Sequence, residues 1–418
     1  MKRITQFTWV IAIALSCSSS PQAGETHPQQ LSLEQALREA FARSPVLAAQ
    51  RALVEQAEAR VVTAETYPHD PTLSLEAANR DGDTESSTDW AVKVTQPVKI
   101  GGQRRQRAAR ASADLDSASA SFRRQERLIV ARVGAIFVET LRARELLEVA
   151  QANAELAQSL ADVAQKRFDA GSVPQMEVNL ARVQVGRAQR GLQLARAAYD
   201  VARAALAEVV GLDPAQPPEP EGELEPPCEA LMPISQLIDG ALQHRADLEA
   251  FRGTIESTRA RIELARRDVR PDLAIEAFYG QEEGTDRLLG GGIGIRIPLF
   301  NRNQGAIAEA RAAERRAIAD SEAAQLRVRR EVVEARARHD AACEASATLQ
   351  EHVLGTLEEN LLLLQLSFEA GKTSWSEVLV FRREFIDIQR EYVESLAEAR
   401  LTGIELDLAA GRSPARSP

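Results

Sequence analysis

Beyond Pro174, apolar or small residues recur at Val178, Ala181, Val185, Ala188, Leu192, Ala195, Tyr199, Ala202, Leu206 and Val209, in steps of three and four that alternate without a break. Two hundred residues later the same frame holds Val378, Phe381, Phe385, Ile388, Tyr392, Ser395, Ala399, Thr402, Leu406 and Ala409. A sustained seven-residue repeat predicts helices that pair along one seam in a left-handed supercoil. The partner stripes lie just upstream: Ala150, Ala154, Ala157, Ala161, Ala164 and Phe168, then Gln350, Leu354, Leu357, Leu361, Leu364 and Phe368. No proline interrupts the chain between Pro97 and Pro174 or between Pro298 and Pro414. A helix running unbroken from Gly102 to Ala170 would be about 100 Å long at ~1.5 Å per residue.

Each pair of stripes is joined by nearly the same phrase, FDAGSV from Phe168 and FEAGKT from Phe368. The phrase predicts the bend of an antiparallel helical hairpin. Gly171 and Gly371 supply the left-handed residue that closes a helix. Ser172 with Gln175, and Ser374 with Glu377, fit capping boxes for the returning helices. Phe168 and Phe368 are expected to close the hairpins by packing across them.

A second periodicity, of two, appears upstream of each hairpin. Leu73, Leu75 and Ala77 share one face of TLSLEAAN, and Trp90, Val92 and Val94 share one face of DWAVKVTQ. Leu273, Ile275 and Ala277 do the same in the second half, as do Ile293, Ile295 and Ile297. The opposite faces carry Thr72, Ser74, Glu76, Lys93, Asp272, Glu276 and Arg296. Such alternation predicts strands of about 8–10 residues with one apolar face. That face either packs on a helix in a soluble sheet or meets lipid in a barrel with a wet interior. Four strands cannot close a barrel alone, and open edges are untenable in lipid. The polar stretches RDGDTESSTD and GQEEGTDR are expected as the connecting loops.

The two halves echo each other throughout. SLEQALREAFARSPVL near Ser32 matches SQLIDGALQHRADL near Ser235, and DPTLSLEA matches RPDLAIEA. QPVKIGGQRRQRAARA matches IPLFNRNQGAIAEARA, all at offsets of 200 or 201. Echoes in one order at one offset predict an internal duplication, with repeats at 31–211 and 234–411. Between them, Leu212–Pro233 holds seven of the 18 prolines and reads as an extended linker.

Composition narrows the classes. Aromatics are 4% and the net charge is −10 with both signs interspersed, which argues against a nucleic-acid partner. Lys2 and Arg3 precede a short apolar run from Phe7 to Leu15 and then small residues, so residues 1–23 read as a signal peptide for export. Cys17, after ALS, is a candidate lipidation position. The three cysteines, Cys17, Cys228 and Cys343, are too few for a disulfide framework and read as incidental thiols. The five histidines are scattered without metal-ligand spacing, and no phosphate loop or nucleophile motif occurs. The expectation is therefore a non-enzyme with no cofactor and no metal site.

The arrangement from about Leu31 to Gly411 resembles the outer-membrane efflux protein family, the TolC-like exit ducts. QPVKIGGQRRQR and PLFNRNQGA resemble its cobalt–zinc–cadmium branch. The resemblance implies a mainly helical fold with a small β part. Three copies would supply twelve strands to one transmembrane barrel and twelve hairpin helices to a periplasmic tunnel, an α-barrel. It implies an outer-membrane exit channel, probing outward through lipid and inward into the periplasm, for heavy-metal cations; organic compounds are the alternative cargo, and a soluble periplasmic adaptor the alternative role. Implied partners are a periplasmic adaptor and a proton-driven inner-membrane pump of the RND type. The hairpin tips, Phe168, Gly171, Ser172, Val173, Phe368, Gly371, Lys372 and Thr373, would meet the adaptor. Glu177 and Glu377 stand where relatives place an acidic ring at the aperture, whereas Val380 stands where some carry a second. Acidic residues near a helix N-terminus are also favoured by the helix dipole alone.

Overall fold

The computed structural model describes residues 30–412, apart from 82–85, 226–227, 229–231, 284–285, 352–359, 361–362, 365, 369 and 371. The proposed signal segment and Cys17 lie outside the described residues. The first half runs α1 (Leu33–Arg43), α2 (Pro45–Glu65), β2 (Thr72–Asp81), β3 (Ser86–Lys99), α3 (Gln103–Asp169) and α4 (Gln175–Val210). The second runs α5 (Ile234–His244), α6 (Ala246–Arg267), β5 (Asp272–Glu282), β6 (Asp286–Arg296), α7 (Gln304–Leu349) and a last helix, α8 (Trp375–Ala409). Two short strands, β1 (Gln30–Leu31) and β4 (Glu219–Pro220), pair in parallel and tie the start of the described chain to the linker.

The 67-residue α3 forms as its proline-free, alanine-rich sequence predicts. It returns through α4, which buries Val178, Ala181, Ala188, Tyr199 and Leu206 from the predicted stripe. α8 likewise buries Val378, Phe385, Ser395, Ala399, Thr402, Leu406 and Ala409. The frame slips at single places. Val210 is buried in α4, and Arg382 is buried in α8 beside the half-buried Phe381. Of the predicted upstream stripe in the second hairpin, Leu354, Leu357 and Leu361 lie outside the described residues.

β2, β3, β5 and β6 form one antiparallel sheet in that order. The strands run 10 to 14 residues, three of them longer than predicted, because the ladder continues into the stretches expected as loops. Backbone pairing does not depend on side-chain polarity. Thus Arg80 pairs with Ser87 and Asp81 with Ser86, and Arg80 also bridges to Asp89 (3.0 Å) and Glu283 (2.9 Å). The register places Leu75, Val92, Tyr279 and Leu289 in one row across all four strands, and Ile275 beside Ile293. This apolar face is bare: Leu75 is 76% exposed, Ile293 73% and Leu289 83%. It does not lie against the chain's own helices, as a soluble sheet would require. β2 and β6 are edges with no strand partner among the described residues. The other face is polar and internally paired, with Lys93 reaching Glu276 (3.2 Å) and Glu76 (3.8 Å).

The sheet enters the long helices through two matched corners. Gly102 and Asn303, the residues before α3 and α7, are both left-handed, with φ of 74° and 59°. Asn tolerates this conformation better than other non-glycine residues, and its amide donates to the Ala265 carbonyl at 2.9 Å.

The principal core lies midway along the long helices. Leu37, Val133, Phe137, Leu141, Leu206, Leu224 and Leu396 meet there, joining α1, α3, α4, the linker and α8. A neighbouring cluster joins α5, α6, α7 and α8 through Leu237, Leu248, Val328, Val332 and Leu406. The linker is strapped down rather than free. Arg203 donates to the carbonyls of Pro217 and Pro218, and Arg144 to that of Pro220. The reading of Cys228 and Cys343 as incidental thiols is overturned: they form a disulfide, 115 residues apart in sequence, that fastens the linker to α7.

Among the described residues no helix is long and apolar enough to cross a membrane. That statement does not bear on the sheet.

Candidate docking and gating site at the hairpin tips

The far ends of both hairpins share a third core. Leu160, Ala161 and Ala164 of α3, Ala181 of α4, Phe368, and Trp375 and Val378 of α8 are buried together. Small residues on α3 let the helices approach closely, and the large side chains come from the second hairpin. Phe368 is fully buried and its ring lies 5.5 Å from that of Trp375. The Arg167 guanidinium stands 5.0 Å from the Phe368 ring centre, a cation–π contact. The two tips are thus fastened to each other within one chain.

The expected symmetry between the two phenylalanines is absent. Phe368 closes the tip as predicted, but Phe168 is half-buried and takes no part in this core. Trp375 occupies the place instead. Sequence reasoning passed over Trp375, although a tryptophan at the first position of a helix, seven residues after Phe368, was a visible signal.

The turn after α3 has the backbone that its glycine predicts. Gly171 is left-handed at φ 73°. Its amide donates to the Phe168 carbonyl and that of Ser172 to the Arg167 carbonyl, both at 2.8 Å, which is a Schellman closure. Lys372 donates to the Ser367 carbonyl at 2.9 Å, the same spacing as Ser172 to Arg167; Gly371 itself lies outside the described residues. Gly171, Ser172 and Lys372 are exposed, and Val173 and Thr373 are half-buried. These residues present polar backbone and short side chains at the extreme end of the molecule.

The returning helices start differently from each other. Ser374 and Glu377 form the predicted capping box: the Glu377 amide donates to Ser374 Oγ, and Ser374 N–H donates to Glu377 Oε2 at 2.8 Å. The box expected for Ser172 and Gln175 is not formed, because Pro174 takes the capping position and has neither hydroxyl nor carboxylate to offer.

The two acidic candidates consequently sit in different surroundings. Glu377 is exposed, and its hydrogen bonds from the backbone and side chain of Ser374 hold its carboxyl below the usual range. Glu177 is drawn to Arg167, 3.8 Å away, and is largely covered. Among the described residues neither Glu177 Oε1 nor Arg167 Nη1 has a hydrogen-bond partner, and the same is true of Trp375 Nε1. Lower on α8, the buried Arg382 donates twice to Asn153 Oδ1 of α3, at 2.8 and 3.2 Å. Among the described residues no group of three or more histidine, cysteine or acidic side chains is arranged to hold a metal ion.

The profile of the outer membrane efflux protein family matches residues 36–212 and again 237–412. The chain belongs to that family. Related sequences and folds span nearly its whole length. It is 25% identical to the cobalt–zinc–cadmium resistance protein CzcC of Cupriavidus metallidurans, over 91% of this chain and 90% of that one. It is 27% identical to protein CyaE of Bordetella pertussis, over 91% and 84%. Among solved structures, CusC superposes with a TM-score of 0.77 at 17% identity, covering 91% of this chain and 92% of its own. The outer membrane protein VceC of Vibrio cholerae gives 0.75 at 20% identity, covering 91% and 96%. The fold is therefore that of the outer-membrane efflux channels, with long helical hairpins and a β-barrel segment, and the protein resides in the outer membrane.

Proposed function

We propose that this chain is the outer-membrane exit duct of a three-part export system and that its cargo is heavy-metal cations. Three copies assemble, each repeat supplying two strands and one long hairpin. Three four-stranded sheets close into a twelve-stranded barrel, and twelve helices form the tunnel below it. The observation that carries the assembly is the bare apolar face of β2–β3–β5–β6, bounded by two edges with no strand partner among the described residues. In lipid those edges must be paired, and an identical neighbour offers the complementary edge. Trp90 and Tyr279 meet edge-to-face at 5.7 Å towards the outer end of this face, and Phe300 is 95% exposed at the inner end. Aromatic residues at both ends of an apolar band suit the two membrane interfaces.

The hairpin tips dock a periplasmic adaptor, which couples the duct to a proton-driven inner-membrane pump. Glu377 is exposed at the tip and, repeated three times, forms an acidic ring that favours cations. Glu177 instead belongs to the internal contact with Arg167. The metal assignment is supported by the similarity to a cobalt–zinc–cadmium resistance protein over almost the whole chain. Deleting the gene and growing the strain on zinc, cobalt, cadmium and a panel of organic drugs tests it. Loss of metal tolerance with unchanged drug tolerance is expected. Sensitivity to drugs alone would transfer the protein to organic export.

A further inference from the structure

Near the middle of the molecule α6 begins where α8 ends. The Arg245 guanidinium spans this joint. It donates to the Ala409 carbonyl at 3.2 Å, to Glu331 of α7 at 2.7 Å, and twice to Asp247, at 2.7 and 3.1 Å. Beside it, between α3 and α7, lies a cavity of about 320 Å³. That is the lower end of the range of small-molecule sites, roughly 300–1,000 Å³. Leu128, Ala335 and Leu408 give it apolar lining, and the rest of its walls are charged.

Those charges do not cancel. Glu331 and Asp247 are held by Arg245, Glu334 by Arg330 at 2.9 Å, and Glu405 by Arg338 at 3.6 Å. On the α3 wall the cations lack such partners. Arg127 donates to a neutral group, the His244 carbonyl, at 3.0 Å. Arg124 is exposed and has no hydrogen-bond or ion-pair partner among the described residues, and it senses the Asp247 charge only at a distance. Residues three apart share one face of a helix. Two guanidinium groups therefore line the cavity together with no carboxylate of their own.

We propose that this cavity binds a small organic dianion, one that carries carboxylate or phosphate groups on a short carbon skeleton. Each guanidinium offers a planar fork of N–H donors that matches a pair of carboxylate or phosphate oxygens. Leu128 and Leu408 cover the carbon skeleton, which an inorganic ion lacks. Arg338 approaches from α7, since its 3.6 Å pair with Glu405 is too long to be a hydrogen bond. A bound dianion thereby ties α3 to α7 across the joint.

The cavity faces away from α5. Arg336 of α7 reaches the Met232 carbonyl, just before α5, at 2.9 Å. At ~100° per residue, Glu334 and Arg338 stand about 200° round the helix from it. In the duct proposed above, α1 and α5 of three copies would plug a ring of twelve helices from within, so they lie outside and the cavity opens towards the bore. That placement rests on the export reading, whereas the binding does not.

The test uses the detergent-purified full chain. Succinate, glycerol phosphate, inorganic phosphate and the uncharged succinamide are titrated calorimetrically at one ionic strength set with chloride. One site per chain is expected for succinate and glycerol phosphate, and none for succinamide. Inorganic phosphate should bind about tenfold more weakly, because it leaves the leucines uncovered. Arg124→Gln should weaken the organic anions at least about tenfold, the scale of one hydrogen bond to a charged group. Arg123→Gln removes the same charge next door, where Arg123 pairs with Glu249 at 2.7 Å outside the cavity, and should bind as wild type does. Binding by only one of the two organic anions upholds the site and identifies the anionic group. No saturable binding by either overturns the proposal, and that result requires no variant to fold. Equal affinity for inorganic phosphate would leave an adventitious ion only, and an equal loss in Arg123→Gln would leave a diffuse surface potential; each overturns it as well. None of these results alters the metal tolerance on which the export reading is tested.

Discussion

Leu75→Arg places the same question to the sheet and to its surroundings. Leu75 lies near the middle of β2 and is 76% exposed on the apolar face. If that face met water, the substitution would change stability by no more than about 0.5 kcal/mol. If it meets lipid near the midplane, the cost is about 2–4 kcal/mol per copy. That corresponds to a roughly 30- to 1,000-fold loss in the folding equilibrium of one chain, and a trimer carries the change three times. Ala78→Arg is the internal control. Ala78 is also exposed, lies three residues along the same strand, faces the polar side and pairs with Asp89. The assay is the yield of heat-resistant oligomer in the outer-membrane fraction, with a folded reference protein as loading standard. Leu75→Arg should lose most of the oligomer and Ala78→Arg should retain it. Equal yields from both would refute the lipid-facing assignment, and with it the reason for three chains to combine.

Three further outcomes are expected. Phe368→Ala removes a fully buried ring from the tip core, a change that costs about 3–5 kcal/mol in a well-packed site; the tips should separate more readily, read as raised conductance in planar bilayers and faster hydrogen exchange in the Leu160–Ala164 segment, and unchanged conductance would remove this core from gating. Gly253→Ala should loosen α6 from α3, because an added Cβ would lie 2.9 Å from the Ser117 backbone nitrogen and 3.1 Å from the Ala113 carbonyl oxygen; overpacking costs about 1–3 kcal/mol, measured as a lower melting temperature, and no shift would mean the helices part without strain. The Ser374–Glu377 cap should weaken in acid: the carboxyl is held below its usual range in the folded chain, so its contribution is complete above the ordinary carboxylate value and is lost as pH falls through the depressed one. Exchange at the start of α8 should therefore be faster in Glu377→Gln than in wild type at neutral pH and equal to it in strong acid, whereas a constant difference at all pH would exclude the carboxylate.

The long hairpins and the sheet were legible because each rests on a repeated signal. A stripe of ten positions survives one or two exceptions, and four strands with the same alternation reinforce one another. The exceptions arise where a single contact outweighs the pattern. Arg382 is buried in a seam that the apolar count assigned to Phe381, because Asn153 on α3 accepts two of its hydrogen bonds. Burial lowers its pKa, but an arginine remains charged across the whole working range. Pro174 displaced a serine cap that composition alone favoured. In each case the deciding partner lies on another helix or in a backbone angle, outside any local window.

The tip and the linker show the same limit at longer range. Sequence symmetry made Phe168 and Phe368 equivalent, yet only Phe368 is fully buried, since Arg167 and Trp375 pack on its ring and no comparable partner of Phe168 occurs among the described residues. A duplicated sequence need not fold into duplicated contacts when both copies share one chain and one copy must pack against the other. The disulfide is the clearest instance. Cys228 has no counterpart in the first half, and the bond it makes reaches across 115 residues to a helix that the duplication does assign a counterpart. What the second half adds to the duplicated plan is therefore concentrated where it departs from symmetry: at Trp375 beside Phe368, and at the disulfide between Cys228 and Cys343. Those departures are the positions where function specific to this chain, rather than to a duplicated hairpin in general, should be sought.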